Sequence, residues 1–119
     1  MSIADFRDLE VYQRSRNLLP VVKRLCLHIE NEQRDLARNL MKTACQIGPE
    51  IAEGHAKKSS INEFKRFITM AIGSSDEMTA HLEQVPLLIR DVNMKSIARL
   101  INEYRIIAKQ LQVLKKNWK

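Results

Sequence analysis

Apolar residues recur along this chain at spacings of three and four, and no segment alternates apolar with polar residues in twos. The first spacing keeps side chains on one face of a helix and the second belongs to a half-buried strand, so the pattern predicts helices only. Four segments carry it. In the first, about Asp8 to Ile29, Tyr12, Leu19, Val22, Cys26 and Ile29 form one stripe and Val11, Leu18 and Leu25 a second beside it. Pro20 lies inside, where it kinks the helix at the cost of a backbone hydrogen bond or divides it into two pieces.

The second segment, about Gln33 to Glu53, lines up Leu36, Ala37, Leu40, Met41, Ala44, Ile47, Ile51 and Ala52. In the third, Ser60 is the expected N-cap, with Glu63 at the capping-box spacing; Phe64, Ile68, Ala71, Ser75, Met78, Leu82, Val85 and Ile89 continue one face. Pro86 is expected to bend or fray its last turn. The fourth, about Asn93 to Trp118, aligns Ile97, Leu100, Ile101, Tyr104, Ile107, Leu111, Leu114 and Trp118. Short connections between long amphipathic helices favour antiparallel neighbours. The expectation is an all-α protein, an up-and-down antiparallel four-helix bundle, with residues 1–119 forming a single domain. Val11, Leu18, Ile72, Ile106 and Val113 exceed what one central seam needs, and that surplus argues for self-association.

Within Gln46-Ile-Gly-Pro-Glu-Ile-Ala-Glu-Gly-His55 a Gly-Pro pair interrupts an apolar stripe that then stops. Gly48-Pro49 reads as a tolerated kink and Gly54 as a helix stop that accepts a left-handed backbone. Gly48 and Gly73, lacking side chains, are expected to allow close helix crossings.

Composition adds little beyond excluding disordered and disulfide-stapled classes: 45% of the 119 residues are hydrophobic and 29% charged. Cys26 and Cys45 have neither redox nor zinc-knuckle spacing and are expected as buried, reduced thiols. No apolar run approaches the roughly 20 residues that span a bilayer, and no signal-like segment opens the sequence, so a cytoplasmic location with no membrane contact is expected.

Charge changes the picture more. Through Met94 the thirteen Lys/Arg match thirteen Asp/Glu; beyond it stand Lys95, Arg99, Arg105, Lys109, Lys115, Lys116 and Lys119 against Glu103 alone, so the net +6 belongs to the last segment. A localised basic face is the footprint of a nucleic-acid or other polyanion site. The competing reading is that it faces the acids Asp76, Glu77, Glu83 and Asp91 of a neighbouring helix, or is simply solvated. Arg34, Arg38 and Lys42 form a second basic line, and Lys57, Lys58, Lys65 and Arg66 gather near one connection. Such charges hold phosphates without reading sequence. Phe64, Tyr104 and Trp118 lie on apolar faces and are expected in the core rather than as base-stacking platforms.

Catalytic chemistry finds no foothold. No Glu-x-x-His is present for a di-iron site, and Glu77/His81 and Glu53/His55 are the nearest approach to metal ligation. The three glycines form neither phosphate-loop pattern, and neither cysteine has an activating base near it in sequence. No enzyme activity, cofactor or metal is expected; a metal-binding bundle is the third-ranked reading.

Phe6-Arg-Asp-Leu-Glu-Val-Tyr-Gln13, Ile51-Ala-Glu-Gly54, and the run Ser60, Glu63-Phe64, Arg66-Phe67, Ala71, Gly73-Ser74, Glu77 occur in the order of three family motifs. Together they resemble the four-helix bundle family that includes proteins encoded in intervening sequences of bacterial 23S ribosomal RNA genes. Tyr12 stands for a Trp of that pattern and Glu50 for an Asn. The resemblance implies a bundle assembled as a ring, a homopentamer. Related bundle proteins serve as accessory factors of diversity-generating retroelement reverse transcriptases, and being basic, pentameric and able to bind nucleic acid, they imply RNA or DNA as a partner here. The leading expectation is a non-enzymatic homo-oligomer that binds RNA or DNA without sequence specificity. Arg99, Arg105, Lys109, Lys115 and Lys116 are its first contacts, and Arg34, Arg38 and Lys42 its second. The alternative is a scaffold docking an acidic protein partner such as a reverse transcriptase.

Overall fold

The computed structural model describes residues 5–118; Lys119 of the basic tail lies outside them. Among the described residues there is no strand. After a 3-10 turn at Phe6–Asp8 come α1 (Glu10–Asn17), α2 (Leu19–Ile29), α3 (Arg34–Ala56), α4 (Ile61–Leu88) and α5 (Met94–Asn117). Taken as one broken helix, α1 and α2 supply the first corner of a four-cornered bundle in which α3, α4 and α5 follow in turn.

The break falls at Leu18, and Pro20 occupies the first turn of α2, where its missing N–H is one that no intrahelical partner would receive. The sequence left a kink and a division open; the structure has the division. Its consequence is directional. α1 packs against both α3 and α5, whereas α2 packs against α3 and stands away from α5. A groove of about 710 Å3 therefore opens between α2 and α5, floored by Leu18, Val21, Leu25, Ile97 and Leu100.

The core runs the length of the bundle through Val22, Ile29, Leu40, Ile47, Ile51, Phe64, Ile68, Met78, Leu82, Tyr104, Ile107 and Leu111, all fully enclosed. Val11, Leu18 and Ile72 are also buried, so these three surplus positions are used inside the chain and do not argue for self-association. The large apolar side chains left exposed include Leu27, Met70, Leu87, Leu88, Met94 and Val113. Tyr104 is wholly enclosed, with no hydrogen-bond partner for its hydroxyl, and burial pushes its pKa well above the ordinary phenol value.

Gly54 does not end α3. The helix continues to Ala56, and no glycine among the described residues has positive φ. The glycine is there for approach: a Cβ would stand 3.2 Å from the Cβ of Phe67, 3.3 Å from Ile68 Cδ1 and 3.4 Å from the Phe64 carbonyl oxygen. Gly48 similarly admits Tyr12, whose Cε1 would lie 3.3 Å from an added Cβ. Gly73 does neither, since a Cβ there meets nothing within 4 Å. α3 stays helical through Pro49, which has no amide to offer the carbonyl of the exposed Cys45. At the start of α4, Ser60 Oγ accepts from the Glu63 amide at 3.3 Å, while the Glu63 carboxylate turns to Arg66 at 2.7 Å instead of closing the box. α4 likewise continues two residues past Pro86.

Cys26 is buried, with Sγ 3.3 Å from the Ala37 carbonyl oxygen, and desolvation pushes its thiol up to about 11. Cys45 is exposed, against expectation, because it projects from the outer side of α3.

Candidate nucleic-acid interface

α5 starts where the Asn93 side chain accepts from the Ser96 amide at 3.1 Å. The helix then turns Ile97, Leu100, Tyr104, Ile107 and Leu111 inward. A helix so anchored must present its remaining residues to solvent, and Lys95, Arg105, Lys109 and Lys116 line the side opposite the core. Arg99 is rotated toward the α2–α5 groove and stands on its rim with Arg24 and His28. Lys115 is partly buried and lies off the line.

None of these six cations has a carboxylate partner among the described residues. The acid of α5 itself, Glu103, is taken by Arg14 of α1 at 2.9 Å. Asp76, Glu77, Glu83 and Asp91 form no ion pair with α5, so the pairing of α5 with an acidic neighbour is not realised within the chain. Concentrated like charge without counter-charge is an electrostatic cost that an arriving polyanion relieves.

Arg34, Arg38 and Lys42 are likewise exposed and without ion pairs, on the outer side of α3. Yet α3 and α5 occupy diagonal corners and share no contact. The two basic groups thus face opposite directions, and one straight polyanion touches one group per copy.

A third group joins the first. Trp118 stacks on Phe64 with ring centroids 4.1 Å apart and planes at 17°, and meets the buried His55 edge-on at 6.5 Å. That contact fastens the end of α5 to the α3–α4 connection, so Lys116 shares one end of the bundle with Lys57, Lys58 and Lys65. Lys57 pairs with Glu53 at 3.3 Å, and Arg66 lies over the Phe67 ring at 4.4 Å. The sequence shows both clusters, but only the packed Trp118 shows that they adjoin.

The nearest approaches to metal ligation remain pairs. His81 Nε2 is 3.4 Å from Glu77, and Glu53 engages Lys57 while His55 is buried. Among the described residues no cluster of three or more metal-ligating side chains is present. Glu50, half-buried, accepts from Ser74 Oγ at 2.7 Å. Burial raises its carboxyl above the usual range, a direction that the Ser74 bond opposes and the Glu77 charge reinforces. A carboxyl raised in the folded state binds more protons there than when unfolded, so its stabilisation is full below about pH 4.3 and is lost as pH rises through the folded value. Glu50→Gln should remove that loss. Urea midpoints are expected to diverge in favour of the variant between pH 4 and 7; parallel profiles would refute this assignment.

These features define a class: a small all-α bundle with uncompensated basic outer faces and no helix long and apolar enough to cross a membrane among the described residues. Residues 7–113 match the model of the 23S rRNA-intervening sequence protein family, and the chain belongs to that family. A crystal structure of a protein of unknown function from the S23 ribosomal protein family of Bacteroides thetaiotaomicron VPI-5482 superposes with a TM-score of 0.79. It is 19% identical, over 90% of this chain and 96% of that one, and shares the fold. No curated protein matches.

Proposed function

We propose that this protein is a non-enzymatic, self-associating helical bundle that binds RNA or DNA through phosphates, with the outer face of α5 as the contact. The observation that carries the reading is the set of six α5 cations with no carboxylate partner among the described residues. Lys57, Lys58 and Lys65 extend that surface around the end of the bundle, and Arg34, Arg38 and Lys42 lie apart from it on α3. Guanidinium and ammonium groups along a helix neutralise phosphates wherever they fall, so binding is indifferent to sequence. A ring of copies, as the family resemblance implies, multiplies the α5 faces offered to one polyanion. The two unbridged cysteines suit a reducing compartment, and we place the protein in the cytoplasm.

Labelled structured RNA and duplex DNA, titrated across a salt series with native mass recorded on the same sample, test this. Affinity should fall log-linearly with salt, with a slope of about −3.6 to −5.4 for four to six phosphates at roughly 0.9 each on duplex. Absence of binding at 50 mM salt would overturn the reading and turn attention to an acidic protein partner for α5.

A further inference from the structure

α4 presents to solvent a face that its own bundle does not use. Between Arg66 and Arg90 it has no Lys or Arg, and its three acids Asp76, Glu77 and Glu83 are all exposed. Met70, Gly73, Ala80 and Leu87 lie along the same side, with Leu87 81% exposed. Gly73 stands mid-helix on this face with open space where a Cβ would be. A glycine in a helix interior is disfavoured by about 0.5–1 kcal/mol relative to alanine. No contact among the described residues accounts for it, and the close approach of another backbone would.

Another side of the molecule carries the complement. A groove of about 610 Å3 between α2 and α3 is floored by Cys26, Leu27, Ala37 and Met41, with Lys23, Arg34 and Arg38 on its rim against Glu30 alone. Leu27 is 57% exposed, and none of the three cations has an ion pair among the described residues.

The two surfaces also share a level along the bundle. Ser74 of α4 bonds Glu50 of α3, and Cys26 of α2 bonds the carbonyl of Ala37. Where α3 and α4 approach most closely, the Cβ position of Gly54 meets Phe67 and Ile68, so along these antiparallel helices Arg38 stands level with Glu83 and Arg34 with Leu87. Rotation about an axis parallel to the bundle preserves levels, so in such a ring Leu87 of one copy is at the height of the next copy's groove.

We infer that the exposed acidic face of α4 in one copy packs into the cationic α2–α3 groove of the next, with Leu87 on the apolar floor and Glu83 beside Arg38. The contact is heterologous, each copy offering one face of each kind, and it forms a ring when the rotation from copy to copy closes. It rests on the self-association proposed above, and it assigns Arg34 and Arg38 to assembly, leaving α5 free for the polyanion.

The test is the native mass of the full chain and of Gly73→Gln, Arg38→Glu, Glu83→Arg and the double charge swap. Gly73→Gln should keep its helical circular dichroism, because Gln suits an exposed helix better than Gly, yet dissociate at concentrations at least tenfold above those that dissociate the wild type. Each single reversal should do the same, and the double swap should regain the wild-type mass. If the wild type is oligomeric and all three single variants keep its mass, this interface is wrong while self-association stands. A wild type that is monomeric at every concentration overturns both.

Discussion

Replacing Phe64 with alanine is expected to destabilise the fold by about 3–5 kcal/mol, the range for a fully enclosed aromatic ring removed from a packed core. Phe64 is wholly buried on α4, at the crossing where α3 comes close enough to require Gly54. Its carbonyl, together with Phe67 Cβ and Ile68 Cδ1, already crowds the Cβ position of that glycine, so the backbone there has little room to collapse into the space a lost ring would leave. The Trp118 stack at 4.1 Å goes with the ring and frees the end of α5. Aromatic pairs contribute about 0.5–1.5 kcal/mol beyond their burial, which places this site toward the upper part of the range. A domain of this size typically has 5–15 kcal/mol in hand, so Tm should fall by about 10–20 °C. The check is urea unfolding at fixed protein concentration. A midpoint shift corresponding to under 1 kcal/mol would mean that Phe64 does not anchor the α3–α4 crossing.

Gly54 precedes His-Ala-Lys-Lys-Ser-Ser, a context in which a glycine ordinarily terminates a helix, and the local signal is the same whether it closes a helix or admits a neighbour. Only the position of Phe67 and Ile68 distinguishes the two. The four amphipathic segments were legible because the three-four spacing is local, as was the capping bond of Ser60. Pro20 marked the break in the first helix without fixing its outcome, which depends on α1 being held by two neighbours and α2 by one. Val11, Leu18 and Ile72 seemed surplus because a bundle corner buries a wider stripe than a two-helix seam does.

The candidate interface divides in the same way. The charge imbalance beyond Met94 is a property of composition and needs no coordinates. Its separation from Arg34, Arg38 and Lys42 follows from topology, since the second and fourth members of an up-and-down bundle are diagonal. What sequence lacks is the rotation of each helix about its own axis, and that rotation moves Lys115 off the basic line and Arg99 to the groove rim.

That rotation selects the decisive variant. Arg105, Lys109 and Lys116 are exposed on one outer line of α5, so Arg105→Glu, Lys109→Glu and Lys116→Glu together should strip the phosphate contact without touching the core. Three lost contacts at roughly 0.9 each reduce the salt slope by about 2.7. Because electrostatic binding curves converge near 1 M salt, that difference amounts to about 100- to 1,000-fold weaker binding at 0.1 M. Helix propensity is nearly the same for Glu, Lys and Arg, and Glu at position 116 opposes the helix dipole by only about 0.3–1 kcal/mol. Fold and native mass should therefore survive, whereas Arg38→Glu should alter the mass. Unchanged affinity in the triple variant, with mass intact, would remove α5 as the polyanion surface. Loss of mass along with affinity would show instead that the α5 face lies within the assembly contact.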